Sequence, residues 1–501
     1  MANPLTQPES MASIRSLETR VLPVDPLKAG RFVHHGEENS LLDNWEFSLN
    51  EQSTDASYLK EAAQHLLTSN TPVAFPTETV YGLGADATRS SAVMGIYRAK
   101  QRPSDNPLIV HISSLDQLRG LLRPSAHPVV GNADQRRTFP HQPDFVASPE
   151  HTPNQEDPVP PIYNPLIERF WPGPLTILLP NPPNSSLAPE VTAGLHTFGA
   201  RIPDSLLALS LIRTANLPLA APSANASTKP SPTTAAHVLH DLNGRIEIIL
   251  DGGPCNVGVE STVVDGLSHP PTILRPGGVS IDQLRQCKGW ENVAIGYKDG
   301  SEQGSKPKAP GMKYKHYSPR AEVLLHEAGY KPPTFHSIRE RIGEHRVVGI
   351  IRTTSWPPFC GLIAPAAQES VKGINHQEPN KVHQALNGTN LFSISSTSHD
   401  LASSNAQCSE ENLPTPLQGA ASSTTDDSRS DRDKSTIYLW DLCLGGSIPA
   451  IARGLFSALR QLDEKGADVI FIEGIRDEGD VAAAVMNRLR KAAGGELVLA
   501  D

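Results

Sequence analysis

Short apolar runs of strand character alternate with amphipathic helical stretches along most of this chain, and no other feature restricts its fold as much. Each sheet face must be covered by helices, so the alternation implies an α/β layer architecture. A helix is signalled from Asp55, which reads as its N-cap, with Leu59, Ala62, Ala63, Leu66 and Leu67 on one face. Pro72 opens a strand, a helix from Ser91 to Lys100 carries Val93, Ile96 and Tyr97, and Leu108 to Ile112 reads as a buried strand. After a short helix ending at Arg169, strands and helices keep alternating as far as Leu274. A second α/β unit follows. It is strand-like at 322–325, 347–351, 437–440 and 469–472, and helical at 450–464 and 480–493.

Breaks in this pattern divide the chain. Residues 1–52 lack periodicity and read as an irregular lead-in; 53–295 form the first domain, interrupted by a polar, Pro-rich insertion loop at 124–161. Residues 296–320 are a basic Gly/Pro/Lys-rich connector, and 321–501 form the second domain. A Ser/Thr/Asn/Gln/Asp tract at 365–434 interrupts that domain and is expected to be disordered. A length of 501 residues suits this division. The net charge of -10 argues against a protein that coats nucleic acid, but leaves room for a local basic groove. Five scattered cysteines with no C-x-x-C pair point away from disulfides and structural zinc and toward a reducing compartment. No apolar run reaches the ~18–20 residues of a membrane span. A cytoplasmic protein is expected, with mitochondrial import as the alternative, because Arg15 and Arg20 fall in an acid-poor N-terminus and Met11 could serve as a second start.

Four segments could carry chemistry. In Phe75-Pro-Thr-Glu-Thr-Val-Tyr-Gly-Leu-Gly-Ala85 a strand stops at hydroxyls, and Gly82 and Gly84 would let backbone approach a ligand. Lys100, Arg102 and Asn106 follow, a set of cations and an amide suited to phosphate. Arg201, between apolar neighbours in His196-Thr-Phe-Gly-Ala-Arg-Ile-Pro203, is either a structural ion pair or a carboxylate clamp. In Ala220-Ala-Pro-Ser-Ala-Asn-Ala-Ser-Thr-Lys-Pro-Ser231, Ser223, Asn225 and Ser231 could hold a phosphate or a base edge near the N-terminus of a helix starting at Thr233. Ser261 opens a buried strand and Arg275 ends another, while Cys255, with no His or Lys nearby, reads as inert. P-loop, dinucleotide-fold and kinase signatures are absent, and no residues have metal-ligand spacing.

Together PTETVYGLG, K-x-R-P-S-x-N-P-L, WPGPLT, ARIP, APSAN, DGG-C-x-x-G-x-ESTVVD, LRPG and GMKYKHYSP resemble, in order, the long two-domain form of the YrdC-like threonylcarbamoyl-AMP synthases. The resemblance implies a twisted-sheet YrdC-like α/β domain with a concave substrate cleft, plus a smaller Rossmann-like C-terminal α/β domain. It also implies synthesis of L-threonylcarbamoyl-adenylate and pyrophosphate from L-threonine, bicarbonate or CO2, and ATP, with Mg2+. A downstream threonylcarbamoyl transferase complex would then act on ANN-decoding tRNAs, and tRNA could touch this chain. The implied threonine residues are Thr79, His111, Arg201, Ala221 and Ser261. The implied ATP residues are Arg102, Asn106, Thr197, Ser223, Ser231 and Arg275, with Tyr314 and His316 of the connector closing over the nucleotide. Lys100 and Arg102 are the implied catalytic cations, with Lys100 facing the triphosphate. Two rivals stand beside this reading: an RNA-binding module of the same fold, and a carbamoyl transferase using carbamoyl phosphate.

Overall fold

The computed structural model describes residues 17–34, 45–124, 156–297, 317–342, 347–362, 392–396, 437–479, 481–494 and 497–498. Eleven strands form the N-terminal sheet. From one edge, Arg20–Pro23, Ile248–Asp251 and Val73–Phe75 run parallel. Gly82–Asp86, Leu219–Ala220 and Ile109–His111 then follow, each antiparallel to its predecessor. Thr197–Arg201, Leu175–Pro180, Thr262–Asp265, Thr272–Arg275 and Ala294–Ile295 complete it, alternating parallel and antiparallel pairings. The helix Thr54–Thr68 covers one end, burying Leu59, Ala62, Ala63 and Leu66; Ser53, not Asp55, is its N-cap, and Leu67 is exposed.

The described part of the lead-in is not irregular. Arg20–Pro23 is the sheet's edge strand, and Gly30–His34 pairs with Trp45–Leu49 in an antiparallel hairpin. A four-residue strand whose pattern alternates only partly with burial carries too little periodicity to be recognised alone. Its pairing to Ile248–Asp251, more than 200 residues downstream, makes it a strand.

The motif after Phe75 also holds a strand the sequence did not suggest, Gly82–Asp86. Gly84 is there for packing. A Cβ at this position would lie 2.5 Å from the Phe75 ring, so its hydrogen makes room for a core aromatic and not for a ligand.

The C-terminal unit is a six-stranded, all-parallel sheet: Phe392–Ser396, Ile437–Cys443, Val347–Arg352, Val469–Glu473, Glu322–His326 and Leu497–Val498. Its first strand falls inside the tract expected to be disordered; most of that tract lies outside the described residues, as do residues 125–155 of the insertion loop. The helices Ile448–Glu464 and Ala482–Ala492 press against the N-terminal unit. Val80 and Val259 share an apolar cluster with Ile451, Leu455, Phe456 and Met486. At Gly258, with φ +82°, a Cβ would sit 2.4 Å from the Arg453 Cα, so the two units touch backbone to backbone.

Gly258→Ala should therefore loosen the contact between the units. The left-handed backbone alone costs about 1–2 kcal/mol, and the clash adds to it. Scanning calorimetry should show a melting temperature lower by several degrees, at roughly 2–4 °C per kcal/mol. An unchanged transition would mean that the units do not meet there.

Candidate active site

The strand ends converge on one cavity of about 750 Å3, counting the part open to solvent. Lys100, Arg102, His111, Arg201, Ala221, Ser223, Ser231, Ser261, Arg275 and Thr79 all line it, together with Asn225 and the loop Ser227–Lys229. The cavity is cationic in a chain that is acidic overall. Lys100, Arg102, Arg201, Lys229 and Arg275 face Glu260, the single lining carboxylate among the described residues.

Arg201 ends the strand Thr197–Arg201, and pairing sets it opposite His111. Its Nη1 donates to Glu78 Oε1 at 2.7 Å, its Nη2 to Thr77 and Thr79 Oγ1 at 3.1 and 3.0 Å, and its Nε to His111 Nε2 at 2.9 Å. All three guanidinium nitrogens thus have protein partners, and a bidentate carboxylate clamp would need one of them released. Glu78, absent from the sequence expectations, is the counter-ion; burial pushes its carboxyl up against the pull of Arg201, and its Oε2 has no partner among the described residues. Burial, then Arg201, holds His111 well below its ordinary range, so the ring is neutral and accepts at Nε2.

Lys100 differs from its expected orientation. Its Nζ donates to the Ser223 carbonyl, to the Asn225 carbonyl at 2.7 Å and to Asn225 Oδ1 at 3.3 Å. An ammonium has three hydrogens, so this set is complete and ties the helix end to the Ala-Pro-Ser-Ala-Asn loop. Burial and neighbouring Arg102 depress its proton affinity well below that of a free lysine.

Arg102 is the opposite case. Its Nε and Nη2 are shut off from solvent and have no hydrogen-bond partner among the described residues. Burial lowers its pKa, with only partial support from Tyr97 and Asp105. A buried guanidinium without acceptors is costly in a folded protein and is the natural seat of an anion.

Around the rim, Arg275 Nε and Nη2 donate to the Ser261 carbonyl at 3.1 and 3.0 Å, and Nη2 also reaches Ser261 Oγ at 3.1 Å. Burial lowers Arg275 to about 10. Ser223 Oγ donates to Asn225 Oδ1 at 2.6 Å, and Ser231 Oγ donates to Glu260.

Some expectations are not met. Thr197 stands at the far end of its strand, opposite Pro180 and roughly 13 Å from Arg201 at ~3.3 Å per residue; it does not line the cavity. Asn106 is buried beside the wall but outside it, its Oδ1 without a partner among the described residues. The helix after the serine loop runs Ala235–Leu242, capped by Thr234 itself, and its first turn does not reach the cavity. Tyr314 and His316 lie outside the described residues. The connector residue in the wall is Tyr317, in the same Tyr-Lys-His-Tyr run; it stacks on Phe456 at 5.3 Å. Cys255 is buried, which raises its thiol pKa, as its inert reading requires. The described residues include no group of three or more His, Cys, Asp or Glu fit to hold a metal, and no described helix is long and apolar enough to cross a membrane.

Comparison with known proteins now bears on this geometry. A family model for the Sua5/YciO/YrdC domain, described as telomere recombination, matches residues 65–142 and 143–277. A second, described as the C-terminal domain of threonylcarbamoyl-AMP synthase, matches 279–494. The threonylcarbamoyl-AMP synthase of Schizosaccharomyces pombe is 40% identical over 456 residues, covering 88% of this chain and 89% of the relative. The chain belongs to the threonylcarbamoyl-AMP synthase family. The Bacillus subtilis synthase is 37% identical over 89% of this chain and 96% of its own. Pyrococcus abyssi Sua5 complexed with L-threonine aligns with a TM-score of 0.57 and 30% identity over 96% of this chain and 99% of that one. The chain is therefore an enzyme with the YrdC fold, as its motifs implied.

Two outcomes follow from the contrast between the arginines. Arg102→Met should leave the melting temperature unchanged or raise it, since two buried donors without acceptors among the described residues are removed. Arg201→Met should cost about 3–5 kcal/mol by leaving Glu78 buried and uncompensated; equal effects in calorimetry would contradict the assignment. His111 supplies a pH test. The unfolded chain takes up its proton near pH 6.5 and the folded chain refuses it, so this stability is present above about 6.5 and is lost as pH falls. His111→Gln should flatten the decline of melting temperature between about pH 6.5 and 5.

Proposed function

We propose that this protein joins L-threonine, CO2 or bicarbonate, and ATP into L-threonylcarbamoyl-adenylate with release of pyrophosphate, acting as a nucleotidyltransferase. The observation that carries this is Arg102 in the wall of a cationic cavity, with its Nε and Nη2 buried and without acceptors among the described residues. A triphosphate supplies the acceptors that Arg102 lacks. Threonine is supported at the other end by the cluster of Thr79, His111, Arg201, Ala221 and Ser261, and by the P. abyssi relative having been solved with L-threonine.

In the reaction the threonine amine adds to CO2 with loss of one proton, giving a carbamate. A carbamate oxygen then attacks the α-phosphorus, and the bond to the β-phosphate oxygen breaks. Charge develops on the departing pyrophosphate, where Arg102 and Arg275 stabilise it electrostatically. Ser223 and Ser231 face the nucleotide, although each now donates its hydrogen to a protein oxygen and must turn to donate to phosphate. Lys100 acts through the loop it anchors, holding Ser223 and Asn225 in register. Mg2+ would enter bound to the triphosphate and neutralise its charge, because Glu260, the one lining carboxylate among the described residues, already accepts from Ser231 and Arg488. The half-enclosed cavity would keep water from a labile carbamate, with Tyr317 at its edge. The activated group would then pass through a transferase complex to an adenosine beside the anticodon of ANN-decoding tRNAs.

Incubation with ATP, radiolabelled bicarbonate and threonine should release pyrophosphate and label an adenylate, with serine a poor replacement. No threonine-dependent release would defeat the reading. Arg102→Ala should lower kcat/KM for ATP by about 10- to 150-fold, the equivalent of about 1.5–3 kcal/mol for a charged hydrogen bond.

A further inference from the structure

Glu260, the one lining carboxylate among the described residues, is out of place in a site for a triphosphate. It is buried among cations, and its charge points at the same space as theirs. What neutralises it comes from the other unit. Arg488, on the helix Ala482–Ala492, donates from Nε to Glu260 Oε2 at 3.0 Å and from Nη1 to the Pro276 carbonyl at 2.5 Å. Arg488 is 1% exposed and absent from the cavity wall; it reaches the site through Glu260 and through the lining residue Tyr317, whose ring centre lies 5.7 Å from its guanidinium carbon. Burial opposes the charge on Glu260, but Arg488, then Arg275 and Ser231, hold its carboxyl below the usual range.

A second arginine of the same unit acts on the adjoining loop. Arg460, on the helix Ile448–Glu464, grips Asp241 at 3.1 and 2.8 Å and also donates to the Pro230 carbonyl. Asp241 in turn holds Lys229 Nζ at 3.1 Å and the Ala226 amide at 3.2 Å. Ser318 adds a backbone bond to the Thr228 carbonyl at 2.9 Å. The loop 226–231 is therefore fixed from behind by the C-terminal unit together with the end of the connector.

We infer that the C-terminal unit is part of the nucleotide site, with Arg488 as a positioning residue that cancels the charge of Glu260 and holds Ser231 in place. Without it, the uncompensated carboxylate repels the incoming triphosphate. The inference rests on the proposed reading of the cavity as an ATP and threonine site. It separates the two substrates: Arg488 governs the nucleotide end, while the Arg201 cluster at the threonine end has its own counter-ion in Glu78.

The test uses the full chain and first requires threonine-dependent turnover by the unaltered protein; its absence would remove the functional reading rather than this inference. Arg488→Gln keeps size and polarity but not charge. It should raise KM for ATP by roughly tenfold or more while KM for threonine stays within about twofold. Arg488→Lys should stay within about threefold of the unaltered protein. Adding Glu260→Gln to Arg488→Gln should restore most of the ATP affinity, which a merely structural arginine would not allow. An unchanged KM for ATP in Arg488→Gln, or no recovery in the double variant, overturns the inference. Should Arg488→Gln fail to fold, calorimetric titration of Glu260→Gln with ATP decides instead. Removing the carboxylate should leave binding as tight or tighter, and weaker binding refutes the role.

Discussion

A wall of buried cations must be held in place against its own repulsion, and the rest of this structure follows from how that is done. Each positive group is balanced in a different way. Arg201 has an ion pair with Glu78 and two threonine hydroxyls. Lys100 has three carbonyl oxygens. Arg275 leans on Ser261, and Lys229 on Asp241. Arg102 alone among these leaves buried donors without acceptors among the described residues. The group left uncompensated is the one to which a ligand contributes most, because its interactions are completed only on binding.

The same balance explains why two sheets are joined so closely. Glu260 and Asp241 belong to the N-terminal unit, but their fully buried partners Arg488 and Arg460 come from the other. Separating the units would break both ion pairs and expose the apolar surface around them to water. The apolar contacts of Val80 and Val259 with Phe456 and Leu455 supply area for docking, and the ion pairs fix its register.

Much of the fold was legible. The helices Thr54–Thr68 and Ser90–Lys100 begin within a residue or two of where the apolar spacing puts them. Buried strands such as Ile109–His111 and Val469–Glu473 announce themselves as apolar runs. The edge strand Arg20–Pro23 and the strand Gly82–Asp86 did not, because one is short and the other is rich in glycine; only pairing makes them strands. Within the site, most residues named from motifs reach the cavity wall, among them Gly82, Thr79, Lys100, Arg102, His111, Arg201, Ala221, Ser223, Asn225, Ser231, Ser261 and Arg275. Thr197 does not, since strand direction carries it away from Arg201. Tyr317 was passed over for its neighbours Tyr314 and His316, which the same motif could not tell apart. Glu78 and Glu260 were missed because a carboxylate in a cationic motif gives no sign of its partner.

The sequence by itself determined the chemistry available: which strands end in hydroxyls and arginines, in what order, and the family to which such an order belongs. Those properties are local, set by residue type and spacing. Only the tertiary structure decided what each charge does. It turned Lys100 toward carbonyls, closed Arg201 on Glu78, left Arg102 open and brought Arg488 from another sheet to Glu260. The energy of a buried charge depends on what lies within a few ångströms, and those neighbours are hundreds of residues apart along the chain.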